Sequence, residues 1–206
     1  MILSVRFLYH KIVPALITFM ALIICHTEKL LADNQSINLP TADPPIWSLK
    51  TNALPWAATI ANIEGEVAFG KNISIDLSLW YCPWKISNAH SLKTIAIFPE
   101  GRWWFNNNHT NHFVGLHFSL AWFNLRWNDY RYQDAGRPLL GGGLDYGYLL
   151  MLDRNWGLEF NIGAGFMSMR YDRFYNVKNG ALADRRKTSY WGIDRLGISV
   201  VYRFDK

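Results

Sequence analysis

The 206-residue chain carries 21 Lys and Arg against 16 Asp and Glu, is half hydrophobic and 16% aromatic, and holds two cysteines. That length accommodates one domain, and so few thiols exclude a disulfide-built scaffold. Two of the five formal positive charges lie in the first 32 residues, which weakens a nucleic-acid reading.

Residues 1–32 read as a secretory signal: Arg6, His10 and Lys11 form a basic start, and an apolar run extends from Val13 to Cys25. The run is too short and too poorly flanked for a spanning helix. Leu22–Cys25 has the outline of a lipoprotein site, but bulky Ile24 stands where a small residue is needed, so ordinary cleavage near Thr27 or Ala32 is expected. Without residues 1–32, eighteen basic and fifteen acidic residues remain, and Cys82 is the single thiol. Rigidity must then come from a closed hydrogen-bonded sheet. Residues 33–45 are polar and Pro-rich and read as a periplasmic linker to a domain over 46–206.

From Ile46 onward the chain alternates with the strand period of two. The pattern predicts eight strands, at 46–54, 62–69, 73–81, 93–105, 112–124, 139–151, 156–170 and 191–204. An even number lets the first and last strand pair and leaves no edge. Short turns at 70–72, 106–111 and 152–155 alternate with longer loops at 55–61, 82–92, 125–138 and 171–190. One face of each strand is apolar, as with Ile73, Ile75, Leu77, Leu79 and Tyr81, or Val114, Leu116, Phe118, Leu120 and Trp122. The other face mixes charge, Ser and Gly.

These features predict an all-β fold: an eight-stranded antiparallel transmembrane barrel of the outer membrane, greasy outside and filled by polar side chains inside. A soluble lipocalin-like barrel is the competitor and reverses the faces. Aromatics near strand ends favour the membrane form: Phe69, Phe105, Phe113, Trp156 and Phe204 at one rim, Trp56, Trp84, Trp127 and Trp191 at the other. The last strand, Leu196 to Phe204, carries Tyr202 and Phe204 on its apolar face, matching the signal such proteins present to the barrel-assembly machinery.

Several stretches resemble a known group: Leu49-Lys50-Thr51-Asn52, Trp80-Tyr81-Cys82-Pro83-Trp84, Pro99 to Phe105, Gly115-Leu116-His117, Asp129-Tyr130-Arg131-Tyr132, and Gly141 to Tyr148. Over roughly residues 47–204 the chain resembles a family of short outer-membrane barrels of unknown function from Gram-negative anaerobes of gut and mouth, sometimes encoded beside fimbrial components. The resemblance implies fold and location, and carries over no catalytic residue.

Lys50, Glu64, Glu66, Asp76, Glu100, Arg102, Asp145, Glu159 and Arg203 fall on the predicted inner face, where charges persist only when paired and hydrogen-bonded. His117 and Ser119, two apart on one strand, have the types a lipid A-modifying hydrolase could use as base and nucleophile. The inward position of both argues for filler instead. Gly141-Gly142-Gly143 lies in a strand without the helix a phosphate loop needs. His109 and His112 lack a third ligand, so neither metal nor cofactor is expected. Surface candidates are the Tyr/Arg stretch Tyr130, Arg131 and Tyr132, and the cationic loop with Arg173, Lys178, Arg185, Arg186 and Lys187, suited to lipopolysaccharide phosphates or an acidic partner. The expected role is non-enzymatic, in envelope organisation or support of fimbriae or another surface protein. The hydrolase is the alternative, and a narrow porin comes third. Expected partners are outer-membrane lipid and lipopolysaccharide, the assembly machinery and such a surface protein, with no nucleic acid.

Overall fold

The computed structural model describes residues 46–204; the expected signal (1–32) and linker (33–45) lie outside them. Alternation dictates the elements. The strands are β1 (Ile46–Asn52), β2 (Ala61–Ala68), β3 (Ile73–Lys85), β4 (His90–Trp104), β5 (Asn111–Trp127), β6 (Tyr130–Asp134), β7 (Leu139–Met151), β8 (Trp156–Tyr175) and β9 (Leu182–Phe204). One short helix, α1 (Ala53–Ala57), follows β1. Among the described residues no helix is long and apolar enough to cross a membrane.

All pairings are antiparallel, and the sheet closes on itself because β1 pairs with both β2 and β9, from Trp47 opposite Phe204 to Asn52 opposite Ser199. Closure satisfies the edge groups that an open sheet leaves exposed. Asn52 reinforces the seam. Its Oδ1 accepts from Ile198 N at 3.2 Å and from Leu54 N at 3.0 Å, which ends β1 and caps α1.

Eight positions around the ring hold nine strands. β6 and β7 run in the same direction beside β5, with Gln133 opposite Asn124 and Leu139 opposite Ala121. They are one interrupted strand, and residues 134–138 bulge where the partner spends two residues. The predicted loops are corrected accordingly. The segments 82–92, 125–138 and 171–190 are largely strand extensions: outside the strands lie 86–89, 128–129, 135–138 and 176–181, and α1 takes the start of 55–61. Sequence periodicity weakens there because neither face is uniformly apolar, so the strand signal vanishes while the ladder hydrogen bonds continue.

The faces divide as alternation requires. Ile73, Ile75, Leu77, Leu79 and Tyr81 of β3 are exposed, while Ser74, Asp76 and Ser78 are buried. On β5, Val114, Leu116, Phe118 and Trp122 are exposed while Phe113, His117 and Ser119 are buried. A lipocalin-like interior is therefore absent, because the apolar side chains cover the outside. From Ile73 to Tyr81 the greasy stripe spans about 27 Å along the strand.

Two rim aromatics are corrected. Phe113 points inward and is fully buried, packed on Trp104 with ring centroids 4.7 Å apart. Trp84 lies on the inner side of β3 and donates from Nε1 to Thr59 Oγ1 at 2.6 Å. Phe69, Phe105, Trp156 and Phe204 are exposed, as are Trp56, Trp127 and Trp191.

Candidate functional site

The densest chemistry lies inside the ring. Lys50 on β1, Glu64 and Glu66 on β2, Asp76 on β3, Glu100 and Arg102 on β4, Asp145 on β7, Glu159 on β8 and Arg203 on β9 are all buried. Each occupies an inward position of its strand, so closing the sheet brings groups far apart in sequence to one axis. Lys50 Nζ reaches Glu159 Oε2 at 2.7 Å, Asp76 Oδ2 at 3.2 Å, and Glu66. Arg102 binds Glu100 through two parallel contacts, Nε to Oε1 at 2.9 Å and Nη2 to Oε2 at 3.1 Å. Its Nη1 reaches Glu159 at 3.0 Å and Glu66 at 3.2 Å. Such forked, charge-assisted contacts are the strong kind, and they offset desolvation that isolated ions could not bear.

Sequence reading missed two members. Arg195 Nη1 contacts Glu100 Oε2 at 2.6 Å and Asp145 Oδ2 at 3.4 Å. Asp194 Oδ2 contacts His117 Nε2 at 3.0 Å. Arg195 follows the inward parity of Gly197, Ser199 and Arg203, so extending the alternation by one step would have found it. Asp194 has the wrong parity. It turns inward because Gly163 pairs with Arg195 and Ala164 with Ile193, leaving Asp194 as a bulge, and a bulge puts consecutive side chains on one side.

Inward glycines make room for this layer. A Cβ on Gly115 would strike the Glu100 carboxylate, one on Gly147 the Phe113 ring, and one on Gly163 the Asp145 carboxylate. Gly141–Gly143 sits in β7, where a Cβ on Gly143 would collide with the β8 backbone and one on Gly141 would press on Met167. Those glycines serve packing.

Seven inner carboxylates, with Asp194 included, face Lys50, Arg102, Arg195 and Arg203. His117 lies among the acids: Nδ1 to Asp145 Oδ2 is 2.6 Å, and Nε2 to Asp194 is 3.0 Å. Satisfying both carboxylates uses both ring nitrogens as donors and leaves no lone pair for a serine proton. Ser119 is buried one step along β5, and no hydrogen bond joins it to His117. The base–nucleophile contact of a hydrolase is not formed.

Toward the rim holding Ile46 and Phe204, the layer is floored by aromatics. The Arg102 guanidinium lies 4.4 Å from the Phe113 ring centre, Trp104 Nε1 donates to Ser74 Oγ at 2.8 Å, and Ser74 donates to Glu66. Arg203 Nη2 donates to Asn108 O at 2.7 Å. A cavity of about 10 Å³ remains between Glu66, Trp104, His109 and Arg203, at the lower limit for one water. His109, in the turn below, is buried, and burial holds its imidazole below the ordinary range. His112 faces outward, its Nδ1 hydrogen-bonded to Tyr146 OH at 2.6 Å. The two histidines do not converge, and no group of three potential ligands occurs among the described residues.

The surface candidates are rearranged. Tyr130, Arg131 and Tyr132 form β6 rather than a loop. Tyr130 packs on Tyr175 and Tyr132 on Tyr171, with centroids 5.7 and 5.9 Å apart, and the Arg173 guanidinium covers Tyr130 at 4.4 Å. Arg173, Arg185, Arg186 and Lys187 lie on β8 and β9; only Lys178 is in a turn. Three of these cations are paired within the ribbon: Arg173 with Asp184 at 2.9 Å, Arg186 with Asp184 at 2.9 Å and Arg185 with Asp172 at 3.4 Å. Tyr202 and Phe204 meet edge to face on the outer face, centroids 5.0 Å apart, and Trp156 packs edge-on against Tyr202 at 4.9 Å.

A single closed antiparallel sheet with an ionic core and an apolar exterior defines an all-β class whose interior is built for cohesion. Within that class, residues 19–204 match the family described as a protein of unknown function (DUF3575), and the chain belongs to this family. The comparison with curated proteins gave no match.

Proposed function

We propose that this protein is a small outer-membrane β-barrel of a Gram-negative bacterium, exported by its N-terminal signal and inserted by the barrel-assembly machinery. Its role is non-enzymatic: it organises the envelope and presents its projecting ribbons to a fimbrial or other surface protein. The observation that carries this reading is the inversion of the faces. An aqueous protein would bury Ile75, Leu77, Leu116, Phe118 and Leu144 and expose Lys50, Glu66, Glu100 and Arg102; here the reverse holds. A lipid solvent makes that arrangement favourable, and closed sheets are the β form that lipid tolerates. The packed ionic layer opposes a porin, since eight strands leave an interior that side chains fill.

Cell fractionation of a host expressing the full chain tests the reading. The chain is expected in the outer membrane, migrating as a compact band on gels until boiled, and planar bilayers holding it are expected to show no resolved single-channel currents. A detergent-free monomer in the periplasmic fraction refutes the location, and steady unitary currents refute the sealed interior.

A further inference from the structure

The outward alternation of β3, β4 and β5 continues past the last apolar row without a register slip. Tyr81, Ile95 and Trp122 end the greasy stripe, and the next outward positions are Pro83, Lys93 and Asn124, then Lys85, Ser91 and Arg126. β6 adds Arg131 directly opposite Arg126. Like charges placed opposite one another destabilise a sheet, so this patch is costly unless an anion covers it. No carboxylate among the described residues forms an ion pair with Lys85, Lys93, Arg126 or Arg131. Arg131 Nε is buried without a hydrogen-bond partner, and its guanidinium lies 4.9 Å from the Phe174 ring centre. The β8–β9 ribbon is different, because its aspartates already neutralise Arg173, Arg185 and Arg186.

The patch also has shape. A groove of about 560 Å³ runs over Tyr81, Pro83, Ile95 and Trp122, with Gln133 and Asp134 along one side, where Asp134 Oδ1 accepts from Phe123 N at 3.3 Å. Lys93 and Asn124 line it and also line a smaller recess of about 160 Å³ with Lys85, Ser91 and Arg126. The groove is therefore apolar toward the greasy stripe, and the recess that continues it carries three cations and no carboxylate, with the change of character within about 7 Å along each strand.

We propose that this groove binds a phosphate-bearing lipid of the outer leaflet. One acyl chain lies along Tyr81, Pro83, Ile95 and Trp122, and the phosphate sits on Lys93, Lys85 and Arg126. The inference rests on the outer-membrane reading, which places the aromatic row at headgroup level. It assigns the lipid site to the β3–β6 sector and away from the β8–β9 ribbon.

The test uses the full chain purified from outer membranes into phosphatidylcholine nanodiscs. These are equilibrated with bisphosphorylated lipid A, with lipid A stripped of both phosphates, or with bisphosphorylated lipid A plus excess inorganic phosphate, and retained lipid is quantified by mass spectrometry. Wild type is expected to retain the phosphorylated form about tenfold or more over the stripped form. K93Q/R126Q is expected to bring that ratio close to one, while R173Q leaves it unchanged. Equal retention of both forms by wild type, or full preference in K93Q/R126Q, overturns the site. Loss of lipid under inorganic phosphate alone overturns the lipid in favour of a free anion. Every sample is first checked for the boiling-dependent gel shift. A wild type that never inserts overturns the membrane reading and this site with it, whereas an inserted wild type without preference overturns the site alone.

Discussion

The inner layer and the projecting ribbons obey the same alternation and answer to different surroundings. In the ring, Lys50, Arg102 and Arg195 are held among seven carboxylates, and outward neighbours such as Leu49, Trp103 and Leu144 are apolar. In the ribbons both faces are polar, as with Asp184 and Arg186 on one side and Arg185 and Lys187 on the other. The boundary between these regimes marks where a hydrocarbon solvent would end. Charge inside the ring is therefore an internal matter of cohesion, and charge on the ribbons is available to something else.

The largest expected effect breaks the inner layer. Arg102→Ala takes the shared guanidinium from Glu66, Glu100 and Glu159 and leaves them to Lys50 and Arg195 alone, and removing one partner of a buried ionic group costs about 3–5 kcal/mol. Urea unfolding in lipid vesicles should record that loss, with no conductance gained in planar bilayers. A second change sharpens the boundary. Leu144→Lys, at an outward position 68% exposed, should cost about 2–4 kcal/mol in a bilayer. Ser189→Lys, outward on the β9 extension, should stay within about 0.5 kcal/mol. Equal costs at the two positions would remove the distinction between ring and ribbon.

A smaller, local effect concerns His109. Burial lowers its affinity for protons in the folded state, so the unfolded chain binds the proton more readily. Its contribution to stability is complete above the ordinary imidazole range and is lost as pH falls through the lowered folded value. Amide exchange of residues 105–110 should accelerate on acidification over that interval, and His109→Phe should abolish the acceleration. The least change is expected from Ser119→Ala: lipid A acylation in an expressing strain, read by mass spectrometry, should match wild type.

How far the fold could be read depended on the face examined. β7 lies at 139–151 as the pattern predicts, and the inner positions of β2, β3 and β4 follow directly from parity. The ribbons read as loops in sequence because residues such as Arg126, Arg131 and Gln133 carry no apolar rhythm. Sequence alone points to a cationic surface in 171–190, where charges stand close together in the chain. Lys85, Lys93 and Arg126 are scattered in sequence and adjacent only through strand register.

The sequence by itself determined which side chains share a face, because a strand's period of two is a local property of the backbone. It also determined that one face is greasy and the other ionic. Pairing between distant strands decided the rest: that Asp194 joins the interior through a bulge, that His117 spends both nitrogens on carboxylates, and that Phe113 lies under Arg102. Those outcomes depend on register and closure, which act between residues tens of positions apart and leave no mark in any short window of the chain.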